Sequence, residues 1–169
     1  MIRAADSANN TGVAKVILKF PQMTDTIAHF EELLKTAPRR LVDVSDDAAA
    51  HKPAPNRWSK KEILGHLIDS AGNNHQRFVR AQTVDPFVWP GYDQQFWVSV
   101  HRYRDRPWAE LVELWVGLNC HVAQIIEGVP PVRLSARCVI GDAEPATLEW
   151  WMRDYLRHLR HHLAQIEGD

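Results

Sequence analysis

Of the nine histidines in this chain, three are spaced in a way that could do chemistry: His66, and the pair His158 and His162. Four residues apart on a helix, two side chains stack on one face. If a helix carrying His66 packs antiparallel beside them, three imidazoles converge on one point. Imidazole suits zinc, nickel, copper and ferrous iron. Three protein ligands with the other coordination positions open mark a catalytic metal site rather than a structural one. A metal held that way can acidify a bound water or a thiol, or polarise a carbonyl. A histidine pair at this spacing also arises readily among nine histidines, so spacing alone leaves a solvated, histidine-rich helix end equally open.

The elements that must position these residues are four long amphipathic helices. The first spans roughly Met23 to Thr36, with Ile27, Phe30, Leu33 and Leu34 on its apolar stripe. The second opens at Ser59, where Glu62 completes a capping box, and runs to about Gln82. The third begins near Pro107 and carries Leu111, Leu114, Leu118, Val122 and Ile125; Gly128, Pro130 and Pro131 end it. The fourth starts at a Thr147 cap and continues through Tyr155, Leu159 and Leu163 to about Glu167. Between the second and third lies a long irregular segment, Thr83 to Arg106, with a short helix near Gln94 to Val100. Val132 to Ala146 reads as a small hairpin or a loop. The expectation is an all-α, antiparallel four-helix bundle, a fold that builds metal sites from facing helices. Residues 1–20 are expected to form a flexible tail and 21–169 a single domain.

Composition narrows the classes. Twenty basic and 21 acidic residues nearly cancel, so no global field points to nucleic acid or anionic membrane. Two cysteines without a CxxC spacing fit a reduced, cytoplasmic protein and argue against a structural zinc or an iron–sulfur cluster. No apolar run is long enough to span a bilayer, and the opening residues lack the hydrophobic stretch of a signal peptide.

Around His66, the polar residues Asp69, Asn73 and Arg77 follow on the same helical face. Asp69 reads as a general base or a second-shell partner of a ligand, against an exposed ion pair with Arg77 or a lysine. Asn73 and Arg77 read as cavity residues, Arg77 suiting a substrate carboxylate, against plain surface hydrogen bonds. Tyr92 and Asp93 follow a Pro-Gly turn and read as a lid or substrate contact, with a turn cap as the alternative for Asp93. Trp150 and Trp151 are expected in core or dimer packing, His101 and His161 in solvent, and Cys120 as a small buried hydrophobe.

The ordered combination of motifs carries more than any one of them. Trp58–Ser59 opens the second helix and H-x-x-D-S-x-x-N-x-x-x-R-F runs from His66 to Phe78. Y-D-x-x-x-W follows from Tyr92 to Trp97, and His158, His161 and His162 close the set. From about Phe30 to Ile166 the chain resembles the DinB-like superfamily of metalloenzymes, nearest to its YfiT-type branch. The resemblance implies one divalent cation, nickel or zinc, on His66, His158 and His162, and commonly a homodimer. It implies a small-molecule substrate, with either metal-dependent hydrolysis or S-transfer from a low-molecular-weight thiol (bacillithiol, mycothiol or glutathione). A non-catalytic metal-binding or interaction bundle is the alternative.

Overall fold

The protein was analysed as a computed structural model that describes residues 21–168. The expected tail, residues 1–20, lies outside them. In chain order the elements are α1 (Pro21–Leu41), α2 (Asp46–Ala50), α3 (Lys60–Arg80), β1 (Phe87–Trp89), α4 (Gln94–His101), a 3-10 turn (Tyr103–Asp105), α5 (Trp108–Glu127), α6 (Pro131–Leu134), β2 (Arg137–Ile140), β3 (Ala146–Thr147) and α7 (Leu148–Glu167).

The four long helices α1, α3, α5 and α7 form the expected four-helix bundle, although two of its neighbouring pairs run parallel rather than antiparallel. α3 packs against α5 and α7, and α1 closes the other side against the same two, so α1 and α3 stand diagonally opposed. Side-chain contacts give the directions. Lys60 Nζ donates to the Ile166 carbonyl at one end, and Phe78 meets Tyr155 ring to ring at 5.9 Å further along, so α3 and α7 are antiparallel. The Trp108 indole donates to the Leu41 carbonyl at 2.7 Å, turning α5 back along α1. Arg153 to Thr26 at 2.7 Å and Arg40 to Glu167 at 2.8 Å make α1 and α7 parallel. Lys61 and Trp108 share Asp46 at one end of α3 and α5, and His75 faces His121 further on, so this pair is parallel too. The antiparallel pairing that matters, α3 with α7, is the one that carries the histidines.

The helix ends follow the local chemistry that the sequence advertises. Ser59 N–H donates to Glu62 Oε2 at 2.8 Å while Glu62 N–H donates to Ser59 Oγ at 3.3 Å, a closed capping box. Thr147 Oγ1 accepts from the Trp150 N–H at 3.2 Å. The first helix runs past Thr36 and through Pro38 to Leu41, because Ala37 and Leu41 are fully buried and tertiary packing outweighs one lost backbone bond.

On α5 the buried face is Leu111, Trp115, Asn119, Val122 and Ile126, whereas Leu114 lies 36% exposed. The helix is thus turned relative to its leucine stripe, for a specific reason. Tyr155 of α7 is buried with its hydroxyl donating to Asn119 Oδ1 at 2.7 Å, and Asn119 in turn donates to the Trp115 carbonyl at 2.8 Å. The same rotation puts Cys120 on the exposed side, contrary to its expected burial.

A three-stranded sheet caps the bundle. β2 and β3 are antiparallel, the expected hairpin, and β1 adds in parallel with Phe87 opposite Cys138. Just beyond the strands the backbones of Gly91 and Gly141 nearly touch. Gly141 has φ +56°, and a Cβ there would stand 3.2 Å from the Gly91 backbone.

Candidate metal centre

The capping box and the ion pair of buried Lys61 with exposed Asp46, 2.8 Å, fix the first turns of α3. That rigid start leaves His66 buried against α7, under the Trp58 ring at 5.2 Å. Trp58 in turn donates from its indole N–H to Gln95 Oε1 of α4 at 3.1 Å. On α7, Tyr155 packs edge-on against Phe30 and Phe78, each 5.9 Å away, which sets the rotation of the helix and brings His158 and His162 inward.

The three histidines meet as their spacing suggests. One ring nitrogen from each falls within 4.8 Å of the others, and His66 Nε2 stands 3.0 Å from His158 Nε2. Two nitrogens on one zinc-sized ion, each at ~2.0–2.1 Å, lie about 3–3.4 Å apart at ordinary coordination angles, so this spacing fits a shared ion. Burial first, and then the neighbouring imidazoles, hold His66 down to about 3 and His158 to about 4. Burial also lowers His162, against a raising hydrogen bond with Gln165. All three are neutral at neutral pH, which is the ligand form. His162 Nδ1 meets Gln165 Oε1 at 2.9 Å, leaving Nε2 free to face the other two. Among the described residues no fourth histidine, cysteine or carboxylate joins the group. Gln165 went unassigned in the sequence, although its i+3 spacing from His162 was the signal.

The cluster sits between two cavities. On one side, His66 and His158 open into a cavity of about 250 Å³ with Ser70, Asn74, Arg77 and Tyr92 in its wall. On the other, His162 borders a cleft of about 480 Å³ with Trp58, Arg57 and Lys60.

The remaining candidates distribute unevenly. Arg77 and Tyr92 line the smaller cavity. Burial pushes the Tyr92 phenol up to about 12, with the Asp69 charge adding to it. Asn73 spends its amide on the Asp69 carbonyl at 2.9 Å, and its neighbour Asn74 lines the cavity instead. Asp93 caps α4, accepting from the Phe96 N–H at 3.1 Å. Asp69 is buried, and Oδ1 accepts from the Tyr103 hydroxyl at 2.6 Å and lies 2.8 Å from His101 Nδ1. These partners lie on the 3-10 turn and α4; neither is Arg77 or one of the clustered histidines. Burial raises the Asp69 pKa, opposed by Tyr103 and His101. His101 and His161 are both exposed, as expected; His101 also faces Asp69, and His161 shares Gln165 with His162. Trp151 packs against the core and also lines the smaller cavity, whereas Trp150 is 48% exposed on the surface of the chain.

Three neutral imidazoles converging from facing helices beside an open cavity form the kind of ligand set from which helical bundles build side-chain metal sites. The chain belongs to the DinB superfamily, whose model matches residues 29–166. Its fold is similar to YfiT from Bacillus subtilis, described as a probable metal-dependent hydrolase with an unusual four-helix bundle topology. That likeness has a TM-score of 0.74 at 19% identity and covers 98% of this chain and 90% of YfiT. The mycothiol-dependent maleylpyruvate isomerase is similar with a TM-score of 0.69 at 10% identity, over 89% of this chain and 62% of the other. A relative from Halalkalibacterium halodurans, named "Putative metal-dependent hydrolase BH0277", is 24% identical over 112 residues. That match takes in 66% of this chain and 65% of the relative's own length.

Proposed function

We propose that this chain is a metal-dependent enzyme acting on a small molecule at one divalent ion, nickel or zinc, held by His66, His158 and His162. The observation that carries the reading is the convergence of three neutral imidazoles within 4.8 Å, His66 buried and His158 and His162 half-buried, with cavities on both sides and no further acidic, thiol or imidazole group joining them among the described residues. When bound, such an ion supplies Lewis acidity to a water or a thiol. The chain's own residues then divide the work. Gln165 fixes the His162 tautomer, Trp58 covers His66, and Arg77 with Tyr92 forms the substrate wall. Asp69 holds Tyr103 and His101 against α3 and acts as a positioning residue.

Two reactions fit this arrangement, hydrolysis and transfer of a low-molecular-weight thiol to an electrophile. The second cavity favours transfer, because a bimolecular reaction needs room for a co-substrate on the far side of the histidines. The family match and the names of the relatives, one a hydrolase and one mycothiol-dependent, support the metal-dependent class. We further read the enzyme as a cytoplasmic homodimer.

The test is turnover of monochlorobimane with bacillithiol, mycothiol or glutathione, with nickel or zinc present, beside a panel of amide substrates. Acceleration by one thiol, lost in His158→Ala, is the expected result. No acceleration with any thiol but metal-dependent amide cleavage selects hydrolysis. Metal bound without either activity selects the non-catalytic bundle.

A further inference from the structure

The reading above leaves the substrate's chemistry open, and one side chain in the smaller cavity bears on it. His66, Ser70, Asn74 and Arg77 descend α3 at steps of four, four and three, and all four line the cavity. At its far end Arg77 is a cation without a protein counter-ion among the described contacts. Its one hydrogen bond is a long one, Nη1 to Asn74 Oδ1 at 3.4 Å, and its Nε is buried with no partner. Desolvating a guanidinium without pairing it is costly, so a fold retains it where something else brings the negative charge.

The carboxylates nearby do not supply that charge. Asp154 also borders the cavity, but its Oδ1 is taken by Arg157 in an ion pair. Asp69 is engaged by Tyr103 and His101. What remains in that cavity is the Tyr92 phenol and the Trp151 indole, whose N–H is likewise buried without a partner. Asn74 spends its amide N–H groups on the Ser70 carbonyl and hydroxyl, at 2.9 and 3.2 Å, and turns its Oδ1 to Arg77. The donors left to a ligand are the guanidinium, the phenol and the indole.

We infer that the Arg77 end of the cavity is a carboxylate subsite, so that the enzyme takes a small monoanionic acid whose reactive carbon lies toward His66 and His158. The inference rests on the proposed function for what happens at the histidine end, but the anion subsite stands on Arg77 alone. A guanidinium grips a carboxylate with two parallel N–H bonds, which fixes direction as well as affinity. The eight helical steps from His66 to Asn74 rise about 12 Å. Arg77 folds back to Asn74, so the ligand must span on the order of 10 Å between guanidinium and histidines. A cavity of about 250 Å³ lies at the small end of ligand pockets, which suits a compact acid.

The probes are benzoate, phenylacetate and 3-phenylpropionate, each beside its neutral amide, titrated calorimetrically into the protein as purified. The proteins are wild type, Arg77→Met, Arg77→Lys and His158→Ala, all checked for fold by circular dichroism and for metal content. The expected result is that at least one acid binds tenfold or more tighter than its amide. That preference disappears in Arg77→Met, survives in weakened form in Arg77→Lys, and persists in metal-free His158→Ala. Equal binding of acids and amides, no binding by any acid, or an acid preference that Arg77→Met leaves intact overturns the subsite. An acid preference lost in His158→Ala and kept in Arg77→Met assigns the anion to the metal instead. If wild type holds no metal yet shows an Arg77-dependent acid preference, the subsite stands and the metal reading falls.

Discussion

Tyr103 lies flat against Gly65. A Cβ added at that glycine would stand 2.0 Å from Tyr103 Cδ2, and the same ring reaches on to Asp69 with its hydroxyl, 2.6 Å from Oδ1. The contact clamps the 3-10 turn onto α3 beside His66. Alanine is the better helix former by ~1 kcal/mol, so Gly65→Ala would stabilise an isolated helix. Here the neighbour is a buried aromatic ring that cannot swing away, and overpacking of ~1–3 kcal/mol decides the sign. Gly65→Ala is expected to lower the melting temperature, and adding Tyr103→Ala should cancel much of the clash in a double-mutant cycle. An unchanged or higher melting temperature in the single variant would sink the idea.

Removal of one imidazole should abolish metal binding. The wild-type protein, purified without a histidine tag, is expected to carry about one divalent ion per chain by elemental analysis, following the three-ligand geometry. His158→Ala should carry none. Equal metal in both would place the ion elsewhere.

Acid should destabilise the metal-free protein through the same histidines. In the unfolded chain they titrate near ~6.5, whereas in the fold burial holds His66 at about 3 and His158 at about 4. Above pH ~6.5 neither state binds the protons, and the stability is full. As the pH falls toward 4 the unfolded chain takes up protons that the folded one refuses, so stability drops through that window. Melting temperatures between pH 7.5 and 4.5 should therefore fall more steeply for wild type than for a His66→Gln/His158→Gln variant. Parallel profiles would show that these two groups do not couple to folding.

The hydrogen bond between Tyr155 and Asn119 orients α7 against α5 from inside the core. Tyr155→Phe leaves Asn119 Oδ1 buried without its donor, at a cost of ~1–3 kcal/mol. For a domain of this size that is a fall of roughly 2–4 °C per kcal/mol. Replacing both, Tyr155→Phe with Asn119→Leu, should recover part of the loss. A single variant that melts with the wild type would mean the bond is dispensable.

Much of this arrangement was legible before any coordinates. Ser59 with Glu62, and Thr147, announce their helices because capping is a local contract between residues three apart. His158 and His162 were legible as a pair because i and i+4 share a face, whereas His66, on another helix, joined them only through the resemblance of the surrounding motifs to the family. What escaped was non-local. β1 at Phe87–Trp89 has its partner about fifty residues away, so nothing in its neighbourhood marks it as a strand. The leucine stripe of α5 does not mark its inward face, because the core there is organised by Trp115 and by a polar residue, Asn119, whose partner lies on another helix. The same limit separates Asn73 from Asn74: both suit the polar face, and only the packing of α7 selects the second.

The near-contact of Gly91 with Gly141 ties the loop that carries Tyr92 to the end of β2, and Ile140 of that strand borders the same cavity. The histidine end of the cavity is thus furnished by two helices, while the wall that bears Tyr92 and Ile140 hangs from a small accessory sheet. On the proposed function, substitutions in that accessory layer would retune which molecules are admitted while leaving the histidines untouched, so that selectivity and reactivity would be inherited and altered as separate parts.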